Sequence, residues 1–216
     1  MIGGYPHHYD DSFFHLAIQP FQQDTEHNLI PSISTLGGFP VTRVLKHLKP
    51  RCLDANPDIV VVQFGSSDLI VRTKKDRQQS NREVSTARLR PIDRLRWCIQ
   101  GIIGDALHLA PVTAPEVYLE TMGRMVRAIS EHGASVVVLS PFIIGGKCSD
   151  RIARNCVPLL EEIVTAIPRS HYVNAYAALD KHPRGQMLLR DGTHLSLKGH
   201  TVVSECLIDT LAEVLE

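Results

Sequence analysis

The sequence predicts an α/β fold, a three-layer α/β/α sandwich around a parallel sheet. Three observations predict it. Two short apolar runs rich in β-branched residues, DIVVVQF (Asp58–Phe64) and ASVVVLSPF (Ala134–Phe142), lack polar alternation and so read as strands covered on both faces. Segments with apolar residues at helical spacing lie between and after them. The alternation of the two calls for crossover connections between parallel strands, which are right-handed.

Taken in order, HHYDDSFFHLAIQPF reads as a helix start, with Asp10, Asp11 or Ser12 as cap and Phe13, Phe14, Leu16 and Ile18 facing inward. HNLIPSIST (His27–Thr35) supplies another strand candidate, which Pro31 confines to an edge or a short run. The Gly37-Gly38 turn precedes a helix, VTRVLKHL. PEVYLETMGRMVRAISEHG opens with Pro115 near a helix start and closes with Gly133 at its C-terminal cap; Val117, Met122, Met125, Val126 and Ile129 form its core stripe. In DRIARNCVPLLEEIVTAIP, Pro158 predicts a kink or a break. HYVNAY (His171–Tyr176) is a weaker third strand, and LKGHTVVSECLIDTLAEVL ends the chain as an amphipathic helix. There is no internal repeat.

Residues 70–112 interrupt this rhythm. From Arg72 to Arg96 nine basic residues face three acidic ones, and the stretch from about Pro91 to Leu109 reads as helical. A solvated insertion and an anion-attracting rim are both open readings, because such loops often follow the carboxyl ends of parallel strands.

With 216 residues, 44% of them hydrophobic and no net charge, the chain reads as a single domain, 1–216, with this basic insertion. The neutral balance argues against bulk electrostatic binding to nucleic acid or membrane. No apolar run approaches the roughly 20 residues that span a bilayer. MIGGYPHHYDD lacks the pattern of a signal peptide, so a cytoplasmic location is expected. The five cysteines are scattered, with no C-x-x-C pair, and read as reduced thiols; Cys98 and Cys206 fall in apolar helical patterns as packing residues.

Ligands of an open parallel sheet bind at the carboxyl ends of its strands, so the turns there are the place for chemistry. GSSDL follows the first clear strand, TLGGFP precedes a helix, and DGTHLS lies before the last helix. These segments, in this order and over almost the whole chain, resemble the SGNH/GDSL hydrolases, esterases with a flavodoxin-like sandwich. Asp191-Gly192-Thr193-His194 matches that family's D-x-x-H block. Gly65-Ser66-Ser67-Asp68 matches its G-x-N-D block except that Ser67 replaces asparagine, and Gly38 (or Gly37) fits the glycine block. The resemblance implies His194 as general base, Asp191 as its orienting partner, and Gly38 with Ser67 on the oxyanion side. It implies hydrolysis of an O-acyl ester on a small molecule or a carbohydrate, with no cofactor.

The nucleophile block, G-D-S, is absent. Ile2-Gly3-Gly4-Tyr5 stands in its place, with only Met1 and Ile2 to form the preceding strand; either the sheet is rebuilt or the chain begins later than its ancestor did. Tyr5 falls at the nucleophile position, but a phenol with a pKa of about 10 attacks poorly near neutrality. Asp11-Ser12 is an imperfect echo of the motif without a strand before it. The nucleophile is therefore open among Ser67, Tyr5, Ser12 and a water activated by His194 and Asp191. A catalytically degenerate binding or scaffold protein is the rival reading. His7 and His8 lack metal-ligand spacing, and a site joining either to His194 requires both at the same sheet edge; GGYP is no phosphate-binding loop, and no metal or nucleotide is expected. His200 reads as a partly exposed helical residue. The oligomeric state is not legible.

Overall fold

The structure is a computed structural model that describes residues 9–22, 29–33, 39–72, 110–144 and 146–216. Strands β1 (Ile59–Gln63), β4 (Ser135–Leu139) and β5 (Ser170–Val173) form a parallel sheet in the order β1-β4-β5. Ile59 lies opposite Ser135 and Gln63 opposite Leu139; Val136 lies opposite Ser170 and Leu139 opposite Val173. β4 is central, and Val136, Val137, Val138 and Leu139 are fully buried. That is the environment in which an apolar run without alternation is stable as a strand. β1 is less covered: Ile59, Val60 and Val61 are half-buried, and Val62 is buried.

The helices flank this sheet on two sides. α2 (Val41–Arg51) packs on α4 (Pro115–Glu131), α4 on α5 (Lys147–Thr165) and on β4, and α5 on β5. On the other face α8 (Leu197–Leu215) meets β4 and β5 and carries α1 (Phe13–Gln22) and α6 (Ala175–Asp180). The result is the expected α/β/α sandwich.

The short α3 (Ser66–Leu69) follows β1, and β2 (Val71–Arg72) pairs antiparallel with β3 (Ala110–Pro111), Val71 opposite Pro111. This pairing brings residue 72 next to residue 110. The basic residues from Lys74 to Arg96, and Cys98, lie outside the described residues. The four-residue α7 (Arg184–Met187) completes the elements.

Several expectations need correction. Residues 29–33 are irregular rather than a strand; Pro31 has no N–H to give to a ladder, and Ile30 is exposed. The inward stripe of α4 is Tyr118, Met122, Met125, Val126 and Ile129, whereas Val117 is exposed. Positions 118, 122, 125, 126 and 129 repeat with the helical period, and 117 lies one residue off it. α5 runs through Pro158 without a break. Pro158 and Arg154, whose carbonyl loses its donor, are both exposed, where solvent compensates the lost bond. The third strand begins at Ser170 and gives way to α6 at Ala175, so Tyr176 is helical. Among the described residues, no helix is long and apolar enough to cross a membrane.

Two glycines sit at positive φ for different reasons. Gly133, φ 106°, follows the cap residue His132 of α4, with open space where a side chain would go. Gly65, φ 122°, has the Tyr118 hydroxyl 2.8 Å and Pro141 3.0 Å from where a Cβ would stand. Gly133→Ala is therefore expected to cost only the backbone strain, about 1–3 kcal/mol. Gly65→Ala should cost clearly more, because the strain and the collision add. Urea unfolding of the two variants beside the parent measures the difference.

Candidate active site

The D-x-x-H segment forms a tight loop. Leu188 bridges Leu195 antiparallel, the Leu189 N–H donates to the His194 carbonyl (2.8 Å), and the Gly192 N–H donates to the Leu189 carbonyl (2.9 Å). Gly192 takes φ 70°, the left-handed turn for which glycine is suited. Inside this loop the Asp191 carboxylate divides its work. Oδ1 accepts the backbone N–H groups of Thr193 (2.9 Å) and His194 (3.1 Å), and Oδ2 lies 2.7 Å from His194 Nδ1. A carboxylate only accepts, so Nδ1 carries the proton and the neutral ring keeps Nε2 as its basic nitrogen. Burial pushes the Asp191 carboxyl up, but the His194 ring and the two N–H groups outweigh it and hold the group well below the usual carboxylate range. Asp191 is thus ionised wherever the protein is folded near neutrality.

The loop is pinned from behind. The Met187 carbonyl accepts the Ser196 N–H (2.8 Å) and lies so close to Gly199 that a Cβ there would collide with it. Ser196 caps α8 by accepting the Gly199 N–H (3.1 Å), and its hydroxyl donates to the Gln186 carbonyl. α7, just before, is held by Arg184. This guanidinium donates to the Ile144 carbonyl (2.8 Å) and pairs with buried Asp150 at 2.6 Å, and the Tyr176 hydroxyl donates to the other Asp150 oxygen (3.0 Å). Ile144 lies in the segment after β4, so the base loop hangs from the carboxyl edge of the sheet.

The G-x-x-D turn follows β1 and so leaves the same carboxyl edge of the sheet. The backbone of Gly65 approaches Tyr118 and Pro141, Ser67 is half-buried on the first turn of α3, and the Ser66 hydroxyl is buried without a partner among the described residues. Asp68 is fully buried. Its Oδ1 accepts the Val41 N–H (2.9 Å) and the Thr113 hydroxyl (2.7 Å), while Oδ2 has no partner among the described residues. Burial pushes this carboxyl up to about 6, against the lowering by the Thr113 and Val41 bonds. The Tyr118 hydroxyl is raised by its own burial and then by the charge of Asp68. Gly37, Gly38, Tyr5, His7 and His8 lie outside the described residues; Phe39 and Pro40 lead into α2 at Val41. No group of three or more possible metal ligands occurs among the described residues.

The start of α1 meets α8 and the segment that follows β4. Ser12 is buried and caps the helix, accepting the His15 N–H at 3.3 Å. The next residue, Phe13, donates its N–H to His200 Nδ1 (3.2 Å), stacks on the His200 ring at 6.0 Å and meets Phe142 edge-on at 5.7 Å. Phe142 follows β4, so Ser12 stands at the carboxyl edge of the sheet, beside the first turns of α8. His200 is buried rather than partly exposed, because α1 covers it. Sequence reasoning missed this role of His200, the close approach at Gly199 and the bonds of Asp68. A glycine in the first turn of a helix and a helix start at Pro40 with no capping side chain were the available signals.

The carboxyl of Asp68 ties stability to pH. Its value in the fold, about 6, exceeds the roughly 3.9 of an unfolded chain. The folded state therefore binds more proton between these values, and the stabilising contribution, full below about pH 4, is lost as pH rises through about 6. Asp68→Asn cannot titrate. Chemical unfolding from pH 4 to pH 7 should show the parent losing roughly 2 kcal/mol relative to this variant. The contribution of Asp191 has the opposite sign, is lost as pH falls below its unfolded value, and is common to both proteins.

No protein-family profile matches the chain, and no curated protein does. Solved structures do. An acetylxylan esterase from Geobacillus stearothermophilus superposes with a TM-score of 0.64 at 16% identity, over 94% of this chain and 80% of its own. LAE5, an alpha/beta hydrolase from the metagenome of Lake Arreo, gives 0.66 at 16% identity over 94% and 83%. A protein of the G-D-S-L family from Desulfitobacterium hafniense gives 0.62 at 12% identity over 96% and 93%. The parallel sheet, its helical layers and the order of its loops are thus those of the SGNH-hydrolase fold.

Proposed function

We propose that the chain hydrolyses an ester, releasing an O-acyl group from a small molecule or a carbohydrate. His194 is the general base, Asp191 its orienting partner and Ser12 the nucleophile. The observation that carries this reading is the 2.7 Å bond between His194 Nδ1 and Asp191 Oδ2, in a loop pinned at the start of the helix on which α1 docks. The ester-cleaving names among the solved structures of the same fold support the substrate class.

The steps follow from the residues. His194 Nε2 takes the proton of the Ser12 hydroxyl as the oxygen attacks the acyl carbon. Asp191, ionised and bonded to Nδ1, stabilises the imidazolium. The imidazolium gives its proton to the departing alcohol, leaving an acyl-serine. Water then attacks that ester with His194 again as base, and carboxylic acid and free serine result. The Ser67 hydroxyl and the Gly38 N–H form the oxyanion side, where one donor is worth about 10²–10³ in rate. On this reading the basic segment within 70–112 belongs to the same single domain and adds positive charge to it.

Ser12 is preferred to Ser67 because it stands at the start of a ten-residue helix, whose N–H groups and dipole favour a developing alkoxide. Turnover of 4-nitrophenyl acetate tests the reading. His194→Ala and Ser12→Asn, the latter keeping a capping side chain, should each lower kcat by at least about 10³-fold. Ser67→Ala should lower it by about 10²-fold and leave Ser12 the residue labelled by a fluorophosphonate. Label on Ser67 would transfer the nucleophile there. A parent no faster than buffer, with no serine labelled, would replace the reading with that of a binding or scaffold protein.

A further inference from the structure

We infer that Asp68 is a positioning residue whose carboxyl caps a helix it does not belong to and so holds three segments of the pocket wall together. α2 begins at Val41 behind Pro40, which offers no capping side chain, and no side chain of its own segment caps it. The cap comes from α3: Asp68 Oδ1 accepts the Val41 N–H at 2.9 Å. A helix N-terminus is where an acceptor oxygen, and above all a carboxylate, is favoured.

The same oxygen accepts the Thr113 hydroxyl at 2.7 Å, and the Asp68 carbonyl accepts the Thr113 N–H at 2.9 Å. Thr113 lies just beyond β3, where the chain returns from residues 73–109. One buried side chain therefore fixes the turn that carries Ser67, the first turn of α2, and Thr113 just beyond β3. Plain packing does not account for it. The side chain is wholly buried with Oδ2 unpartnered among the described residues, a cost that an apolar residue of similar size would avoid. What the carboxyl adds is direction at Val41 and Thr113.

The kinetic consequence rests on the ester-hydrolase reading; the structural one does not. The experiment compares the full-length parent with Asp68→Ala and Asp68→Asn, at a temperature where circular dichroism shows each folded. Amide hydrogen exchange is followed at Val41 and Thr113, and kcat and KM are measured on 4-nitrophenyl acetate. Asp68→Ala should speed exchange at both amides and lower kcat by roughly ten- to hundredfold with little change in KM, as small misplacements of catalytic groups do. Asn keeps an acceptor oxygen at the Oδ1 position, so Asp68→Asn should restore the protection and most of kcat. A defect of stability alone would leave kcat of the folded protein unchanged. Should Asp68→Ala not fold, Thr113→Val removes one donor without changing shape and should lower kcat several-fold.

The inference is overturned if exchange at Val41 is unaltered in Asp68→Ala. It is also overturned if kcat is unaltered despite faster exchange, or if Asn fails to restore what Ala removes. If the parent has no turnover, the ester-hydrolase reading falls, and exchange at Val41 and Thr113 alone decides whether Asp68 holds the cluster.

Discussion

Parallel pairing of β4 with β1 on one side and β5 on the other is the constraint from which the site follows. Parallel neighbours cannot be joined by a hairpin, so each connection crosses back over a face of the sheet. Every chain segment leaving a strand then starts from the same edge. Gly65–Leu69 leaves β1 there and the segment through Phe142 and Ile144 leaves β4. Burial drives the arrangement, since the four apolar residues Val136–Leu139 are stable only with helices on both faces. The base loop is not itself the end of a strand. It reaches the edge because Arg184 fastens α7 to the Ile144 carbonyl and to buried Asp150. Removing either partner of that pair would leave a charge in a desolvated place, which makes the attachment rigid.

Two aspartates at this edge show how environment sets the state of one side chain. Asp191 is half-buried but receives the His194 ring and two backbone N–H groups spread over both oxygens. These bonds outweigh its desolvation and keep it ionised, the state that an imidazole partner requires. Asp68 is wholly buried, and both of its side-chain bonds fall on one oxygen. Desolvation wins there. The first carboxyl is held ionised beside an imidazole. The second is built to hold backbone in place.

The sheet and its helices were legible because they depend on local pattern. Unbroken Val-rich runs gave β1 and β4, and the period of Met122, Met125, Val126 and Ile129 gave α4. The Asp191–His194 pair was legible for a similar reason: three residues of separation bring both groups into one turn. What escaped was contact across the chain. His200 looked like an exposed helical histidine until α1 was laid over it, a packing of residues 187 positions apart. Asp68 looked like the end of a turn because its partners, Val41 and Thr113, lie 27 and 45 positions away. Val117 was placed inward because an apolar residue beside a helical stripe carries no mark of the face it takes. The proposed nucleophile was obscured for yet another reason. The G-D-S signal depends on a strand that ends in a serine, and here a 3₁₀ turn, Tyr9–Asp11, leads into Ser12.

That difference bears on how a serine is aimed. A nucleophile at the end of a strand is fixed by the sheet's own ladder. Ser12 follows the 3₁₀ turn Tyr9–Asp11, and its direction comes from the helix it opens. α1 is set against α8 by packing along its length, and the Phe13 N–H bond to His200 fixes how far along α8 it sits. Phe13 between His200 and Phe142 fixes its distance from the carboxyl end of β4. His194 leads directly into that same helix through Ser196 and the Gly199–Met187 contact. Ser12 and His194, the nucleophile and base we propose, are therefore both referred to one helix, α8. Capping does not compete with this use of Ser12. The His15 N–H takes one lone pair of the hydroxyl oxygen, leaving the proton and the other lone pair for chemistry. α8 is in turn held against β4 and β5 by its own buried face.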